Sequence, residues 1–379
     1  MSQPTFADFF AHFDNLSEPR VDRTKLHKLM DVVFIAVCAL LSGANDFVGM
    51  EKFGKTKSAW LKKYLELPNG IPSHDTFGRV IQAINPQQFV DCFRSWVAAF
   101  AETSRGRLIG IDGKTARASL DRKADQNPLH VVSAWAQESR LLLGQLAVDD
   151  KSNEITAIPT LLEILELEGA VVTIDAMGCQ TEIAAKIREK KADYILAVKG
   201  NQEHLEDDVI AEFAKLDEPD GRAQPSASPD VYATEDKGHG RQEQRCCEAL
   251  PVPSTLRNKD KWKDIKSLCR VTRIYTERGQ EKSEVRYFIS SLPAKAKKLA
   301  LGVRGHWGIE NGLHWVLDMA FGEDRSRARK GHAQENLALL RRWMISLLRQ
   351  DKTIPGGIEK KRLQAGWNTK NLETLLRLF

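Results

Sequence analysis

Apolar residues in the first hundred positions recur at the three- and four-residue spacing of amphipathic helices. The stretches 23–41 and 48–65 show this spacing, with lysines on the outer face of the second. Ser73 stands directly before another such stretch, where a helix N-cap is expected. One more helix follows up to residue 100. The pattern predicts an all-helical N-terminal domain over residues 1–100.

Two interpretations of this helical domain stay open. One interpretation is a helix-turn-helix DNA-binding unit, because a helix is followed by a tight turn at Pro68-Asn69-Gly70 and then by a short helix. An ordinary helical bundle with capped ends fits the same pattern. Under the first interpretation, residues 1–100 are a candidate region for DNA recognition.

After residue 106, short apolar runs replace the helical spacing. The predicted strands are 107–114, 130–137, 141–148, 170–174 and 193–198. A short polar gap between the second and third predicted strands indicates a hairpin. The later strands alternate with helices, and one of these helices is expected to begin at Pro159. Antiparallel strands followed by alternating strands and helices predict a mixed α/β sheet.

The predicted sheet is interrupted and then resumed. A polar stretch with short β-like runs predicts a β-rich insertion over about 215–285. The run RYFISSL at 286–292 is expected to return to the sheet, and residues 295–350 are largely helical. These boundaries predict a catalytic domain over 101–350 and a C-terminal tail over 351–379.

Composition narrows the class of protein. Of the 379 residues, 42% are hydrophobic and 28% charged, which supports a folded core and excludes a disordered chain. The longest apolar run, at 32–41, has ten residues, where a membrane span needs about 20. The N-terminus has no secretory pattern, and the six cysteines show no zinc-type spacing. We therefore expect a cytoplasmic protein with no membrane partner.

Charge is distributed unevenly along the chain. The formal net charge is +5, but residues 286–379 hold 18 basic and 8 acidic residues. The preceding part holds 38 basic and 43 acidic residues. An acidic body with a basic last quarter predicts one surface that faces a polyanion.

Three carboxylates are candidates for catalysis. Asp112 in LIGIDGK and Asp175 in VVTIDAMG each end an apolar strand, where catalytic groups of α/β sheets collect. Glu310 lies in the apolar stripe of a predicted helix and is expected to lean toward the body of the protein. Taken singly, each is more often a turn, cap or surface ion-pair residue. Together they favour a metal site, because a buried carboxylate must be paired or must hold a cation.

Magnesium prefers the hard oxygen ligands that carboxylates supply. Two such ions, about 3.5–4 Å apart, support in-line phosphoryl transfer. With a basic rim for phosphates, the three carboxylates predict a nuclease or strand-transfer site. The sequence contains no P-loop, dinucleotide-binding, GxSxG or HExxH motif that would favour another chemistry.

Five strings carry a resemblance to a known family. They are IDGKTAR (111–117), TIDAMGCQ (173–180), AVKGNQ (197–202), HGRQEQR (239–245) and RGHWGIENGLHWVLDMAFGEDRSR (304–327). With these strings in this order, almost the whole chain resembles the H-repeat-associated, Rhs-linked transposases of bacterial insertion sequences. The resemblance implies a DDE transposase with a ribonuclease H-like catalytic core, a β-rich insertion and a helical N-terminal domain. It implies that Asp112, Asp175 and Glu310 hold two Mg²⁺ ions, for which Mn²⁺ can substitute.

The chain departs from the wider group at three positions. Many related transposases carry a tyrosine and an arginine before the glutamate and a lysine seven residues after it. Here those positions are Val303, His306 and Leu317. These three differences concern the residues expected to bind the DNA end, and they do not affect the three carboxylates.

Several polar residues are candidates for contact with DNA. They are Lys199, Asn201, Arg304, His306, Arg325, Arg327, Arg329 and Lys330. Lys199 and Asn201 follow a strand, where Asn201 fits equally well as a cap. His314 lies two helical turns after His306, and core packing is the favoured interpretation of this pair. Trp307 and Trp315 have the same spacing and are likewise expected in the core.

The function that these features favour is that of a DNA transposase. It would cut DNA at the terminal inverted repeats of its element, join the freed end to target DNA, and act as a homodimer or higher oligomer, in the cytoplasm or on the nucleoid. One alternative is an Mg²⁺-dependent nuclease of the same fold without strand transfer. The other is a DNA-binding regulator that has lost catalysis.

Overall fold

A nine-stranded mixed sheet runs through this computed structural model. The structure describes residues 6–100, 107–120, 127–148, 154–218, 226–238, 241–277 and 280–379. The strands are β1 (Leu108–Thr115), β2 (His130–Ala136), β3 (Leu141–Val148), β4 (Val171–Ile174), β5 (Asp193–Val198), β6 (Asp230–Gly238), β7 (Arg241–Pro251), β8 (Ser267–Glu277) and β9 (Gln280–Ser290).

Helices cover both faces of this sheet, and the N-terminal and C-terminal helices form a bundle that packs against β2 and β3. They are α1 (Ala7–Ala11), α2 (Leu29–Leu41), α3 (Phe47–Thr56), α4 (Ser58–Leu61), α5 (His74–Ala83), α6 (Pro86–Phe100), α7 (Glu154–Glu163), α8 (Thr181–Glu189), α9 (Glu203–Asp217), α10 (Ala296–Ile309), α11 (Trp315–Met319), α12 (Ala333–Gln350), α13 (Ile358–Trp367) and α14 (Thr369–Leu376). A π-helical turn, Glu310–His314, joins α10 to α11.

The first five strands have the spatial order β3-β2-β1-β4-β5. Strands β1, β2 and β3 are antiparallel neighbours, whereas β4 and β5 run parallel to β1. This order and these directions are those of the ribonuclease H-like fold. The predictions of a mixed α/β class and of a ribonuclease H-like core are confirmed.

The β-rich insertion continues the same sheet. Strand β9 pairs antiparallel with β5, with Ile195 opposite Ser290, and β8, β7 and β6 follow as an antiparallel meander. The run at 286–292 therefore does return to the core sheet, as predicted. Because β5 and β9 are hydrogen-bonded neighbours, the insertion is held rigidly against the catalytic half of the sheet.

Alternating side chains along the short strands separate two cores. In β4, Val172 and Ile174 pack with helices α7, α8 and α9, whereas Val171 faces α10 on the other side of the sheet. All four residues of β4 are buried, as expected of a strand covered on both faces. The continuous apolar runs of the sequence reflect this double coverage.

The N-terminal helices form a bundle around α2, whose residues 31–41 are all buried. Ser73 caps α5, as predicted, since its hydroxyl accepts a hydrogen bond from the Thr76 backbone N–H. Residues 351–379, which the sequence analysis assigned to a C-terminal tail, contain α13 and α14 and complete this bundle. The ring of Phe379 lies 4.7 Å from that of Phe9, between centroids.

One predicted helix start is wrong. Pro159 does not begin α7, which already contains Glu154 and carries Pro159 in its interior. A proline in the second turn removes only one backbone hydrogen bond, so the helix tolerates it. No helix within the described ranges is long and apolar enough to cross a membrane.

Candidate active site

Helix α10 lies directly on the sheet because two of its glycines face the strands. A Cβ at Gly302 would overlap Ile195 of β5, and one at Gly305 would overlap Leu108 of β1. On the strand side, Gly110 faces Ile309, which a Cβ at Gly110 would meet at an ordinary 3.5 Å. This close approach brings the end of α10, and with it Glu310, beside β1.

Substituting Gly302 tests this close approach. We expect Gly302→Ala to lower the free energy of unfolding by about 1–2 kcal/mol, because its Cβ would overlap the Ile195 side chain, which is 1% exposed and would have to shift. Gly78→Ala in α5 is the matched control, since a Cβ there meets only Phe47 at an ordinary 3.4 Å. Better helix propensity should leave that variant unchanged or slightly more stable in urea unfolding. Equal effects of the two substitutions would contradict the packing argument.

The three candidate carboxylates line one cleft of about 630 Å³. Asp112 lies within β1, Asp175 directly follows β4, and Glu310 is the first residue of the π-helical turn. The cleft is therefore built from segments that lie far apart in the sequence. The three residues that the strand-end pattern and the resemblance singled out thus share one cleft, although among the described residues Asp175 is not part of the group whose ligand atoms lie within 4.8 Å of one another.

The loop that carries Asp175 is fixed by hydrogen bonds. Asp175 Oδ1 accepts from the backbone N–H groups of Met177 and Gly178, at 3.1 and 3.4 Å. The Asn201 side chain donates to the Ala176 carbonyl at 2.7 Å and so ties the loop after β5 to the loop after β4. Asn201 thus supports Asp175, in addition to any contact with DNA.

His314 joins the carboxylates, contrary to the expectation of plain core packing. Its Nδ1 lies 3.1 Å from Glu310 Oε2 and 3.4 Å from Asp112 Oδ2. Among the described residues, Asp112, Glu310 and His314 form the group whose ligand atoms all lie within 4.8 Å of one another. The four-residue spacing of Glu310 and His314 on one helix face was the sequence signal for this pair.

Burial and like charge act on Asp112. Desolvation and the nearby Asp175 raise the pKa of Asp112 to about 6, although the neighbouring His314 lowers it. The hydrogen bond to His314 lowers the pKa of Glu310, which is half-exposed. Lys114, two residues after Asp112, also lowers it through its charge. A cation at Asp112 would relieve the repulsion, so the donor set fits a divalent metal.

The candidate DNA contacts near the cleft have different surroundings. Lys199 is exposed and lines the cleft. Arg304 faces a neighbouring groove, where it pairs with Asp236 of β6 at 2.9 Å. His306 lines the cleft, with Nδ1 3.1 Å from Thr173 Oγ1, and burial lowers its pKa. At neutral pH its ring would offer a hydrogen bond rather than a charge.

Some basic side chains of the loop after α11 are exposed, and one forms hydrogen bonds within the protein. Arg325, Arg327 and Lys330 are exposed. Arg329 instead donates from Nε and Nη2 to the Ala118 carbonyl, at 3.2 and 3.0 Å. The loop is thereby anchored just beyond the strand that carries Asp112.

Two of the departures from the wider group are buried. Val303 is 7% exposed and Leu317 is fully buried. An apolar residue at 317 suits this position, from which a lysine could not reach DNA without leaving the core. The cleft instead has Arg286 in its lining, with the guanidinium 4.6 Å from the Trp307 ring centroid. Trp307 and Trp315 are both exposed, not in the core as expected, and sequence reasoning missed Arg286 as a residue of the cleft.

The prediction that the positive excess of the last quarter faces a polyanion is wrong in part. Four of its cations are buried, namely Arg341, Arg342, Lys361 and Arg362. Arg342 pairs with Glu323, and Lys361 pairs with Asp351. These side chains hold the helical bundle together, so the charge count overstated the DNA-facing surface. The motif residue His239 lies outside the described residues.

A ribonuclease H-like sheet with carboxylates gathered in a cleft defines a class of enzymes that act on nucleic-acid phosphodiesters. The family profile described as "Transposase DDE domain" matches residues 103–347, and the one described as "DDE_Tnp_1-associated" matches residues 10–97. The chain belongs to the DDE transposase family. It is a DNA transposase whose partner is DNA, and divalent metals are normal for its family.

Two relatives span nearly the same length. "Putative transposase YncI" of Escherichia coli O157:H7 is 41% identical over 355 residues, which cover 92% of this chain and 89% of that protein. "H repeat-associated putative transposase YhhI" of E. coli K12 is 38% identical over 357 residues, 92% of each. A solved piggyBac transposase synaptic complex with hairpin DNA aligns at a TM-score of 0.42 and 10% identity, covering 94% of this chain and 75% of that one.

Proposed function

We propose that this transposase cuts DNA at the ends of its insertion sequence and joins the freed end to target DNA. In this proposal Asp112, Asp175 and Glu310 bind two Mg²⁺ ions. One observation carries it: three carboxylates from distant segments line a single cleft of about 630 Å³. The proposal also accounts for the surroundings of Asp112, whose pKa is raised by burial and by the nearby Asp175.

The bonds exchanged are those of two successive phosphoryl transfers. Water attacks a phosphodiester at the element's end, and the strand's 3′ oxygen leaves as a hydroxyl. That hydroxyl then attacks a phosphodiester of the target, forming a new P–O bond and releasing a target 3′ hydroxyl. Divalent ions bound in the cleft would activate the attacking oxygen and stabilise the leaving one.

The protein's own groups position the reactants. The hydrogen bonds to Asp175 and the Asn201 tie hold one wall of the cleft, and α10 holds the other. Lys199, Arg325, Arg327 and Lys330 offer exposed positive charge for DNA phosphates. We assign recognition of the terminal inverted repeats to residues 1–100, and we expect a homodimer or higher oligomer on DNA.

A single assay tests this function. Labelled DNA that carries the element's own ends is incubated with the protein and Mg²⁺, with Mn²⁺, or with EDTA. We expect cleavage and joined product with either metal and neither with EDTA. A second substrate with a pre-cut 3′ end isolates strand transfer. Cleavage without joined product would favour the nuclease, and binding without cleavage would favour the inactive regulator.

Lys199 provides a test of DNA binding, with a matched control lysine at the opposite end of the same strand. Lys199 follows β5 at the cleft, whereas Lys191 precedes β5 at the opposite edge of the sheet and is 72% exposed. We expect Lys199→Ala to weaken binding and to reduce the slope of log K against log salt by about 1. Lys191→Ala should leave both unchanged in fluorescence anisotropy titrations. An equal loss in the two variants would remove Lys199 from the proposed interface.

A further inference from the structure

His314 has no role in the function proposed above, although it lies against two of the carboxylates. We propose that His314 is a direct ligand of the divalent ion that Asp112 and Glu310 bind. That ion would then have a mixed carboxylate and imidazole set. The inference rests on the proposed function only in requiring a divalent ion in the cleft.

The separations suit adjacent ligands of one ion. Nδ1 of His314 lies 3.1 Å from Glu310 Oε2 and 3.4 Å from Asp112 Oδ2. Neighbouring ligand atoms around an ion with bonds of about 2.1 Å are themselves about 3.0–3.4 Å apart. The three atoms can therefore surround one ion with small side-chain shifts.

The ring is held in this orientation. The His314 side chain is 5% exposed, so packing restricts its rotamer. Within the described part of the chain, Nε2 is buried without a hydrogen-bond partner. Nδ1 is therefore the ring nitrogen that contacts the carboxylates.

The backbone also points to a built site. Glu310 and His314 are the first and last residues of the π-helical turn, which widens an otherwise α-helical segment between α10 and α11. Such turns are rare and occur frequently at functional sites. Here the turn presents a carboxylate and an imidazole to Asp112 from one face of the helix.

A nitrogen ligand changes the expected choice of metal. Mg²⁺ prefers oxygen ligands only, whereas imidazole suits later divalent ions better. We therefore expect Mn²⁺ to bind more tightly than Mg²⁺. In His314→Gln, Mn²⁺ affinity should fall by about tenfold or more, the loss found even for residues that only support a ligand.

The test uses the full-length protein, Mn²⁺ alone as the probe, and pulsed electron paramagnetic resonance, which detects a nitrogen bound directly to manganese. We expect nitrogen modulation in the wild type, its loss in His314→Gln, and its retention in His306→Gln. His306 is the matched control, because it lines the same cleft but bonds to Thr173. Calorimetry of Mn²⁺ and Mg²⁺ binding gives the affinities.

Other outcomes overturn the inference. Mn²⁺ that binds the wild type without nitrogen modulation would make His314 a positioning residue only, and the proposed function would stand. Modulation that disappears in His306→Gln and not in His314→Gln would assign the wrong histidine. Absence of any Mn²⁺ binding would contradict the metal site itself. If His314→Gln does not fold, the His306→Gln protein is labelled with ¹⁵N-histidine instead. The label must then change the nitrogen modulation, because His306 is absent and the signal must come from another histidine.

Discussion

Asp112→Asn is expected to abolish DNA cleavage while making the metal-free protein more stable at neutral pH. Cleavage should fall by at least about 10³-fold, because a metal ligand contributes several kcal/mol to the transition state. The assay is cleavage of labelled end DNA with Mg²⁺. The carboxamide keeps the shape of Asp112 and removes its charge, so the loss is not a packing effect.

The gain in stability follows from the pKa of Asp112, which burial and Asp175 raise from 3.8 to about 6. The folded state then holds this proton more tightly than the unfolded chain, so ionisation of Asp112 opposes folding. Its contribution to stability falls as pH rises from about 4 to 6 and stays low above that range. Removing the charge should raise the free energy of unfolding by about 2 kcal/mol at pH 7.

The pH dependence supplies the control for this gain. In EDTA, urea unfolding at pH 7 should separate Asp112→Asn from the wild type, whereas at pH 4 the two should nearly coincide. A gain of the same size at both pH values would show that Asn packs better and that the charge is not the cause. Full cleavage activity in the variant would remove Asp112 from the metal site.

Arg342→Ala is expected to cause the largest loss of stability among single substitutions in the basic last quarter. Arg342 Nη1 lies 2.6 Å from Glu323 Oε1, and both side chains are 1% exposed. Truncating the arginine leaves a buried carboxylate without its partner, which costs about 3–5 kcal/mol. Thermal and urea unfolding measure the loss.

Two further variants separate the buried pair from the basic surface. The double variant Arg342→Met with Glu323→Leu should recover most of the stability, because neither charge is then left alone. Arg94→Ala, which breaks an exposed contact with Asp91 at 3.8 Å, should change stability by less than about 1 kcal/mol. An Arg342→Ala protein of wild-type stability that binds DNA poorly would show instead that this side chain faces phosphate.

The strands were predictable because the signal for them is local. The run at 141–148 coincides with β3, and the short run at 170–174 contains β4, since buried strands show as continuous apolar stretches. The position of Asp175 directly after its strand followed from the same runs, whereas Asp112 lies within β1 and not at its end as predicted. Their catalytic role remains a prediction that the proposed assays test.

The side chains around the carboxylates were less predictable. His314 belongs to an apolar helix in the sequence, and its partner Asp112 lies about two hundred residues earlier. Likewise, nothing local indicates that Trp307 stays at the surface beside Arg286. Each depends on how α10 lies across the sheet, where Gly302 and Gly305 allow the helix to approach Ile195 and Leu108 closely.

The sequence by itself determined the class of fold, the order of strands and helices along the chain, and the family. It also placed two aspartates at strand positions and a glutamate on a helix. Only the tertiary structure decided that His314 completes the carboxylate group and that Arg342 and Lys361 belong to the interior. The physical reason is the range of each interaction. Periodicity reports which face of an element is buried, whereas charge pairing and ligand geometry depend on elements that meet only in the folded chain.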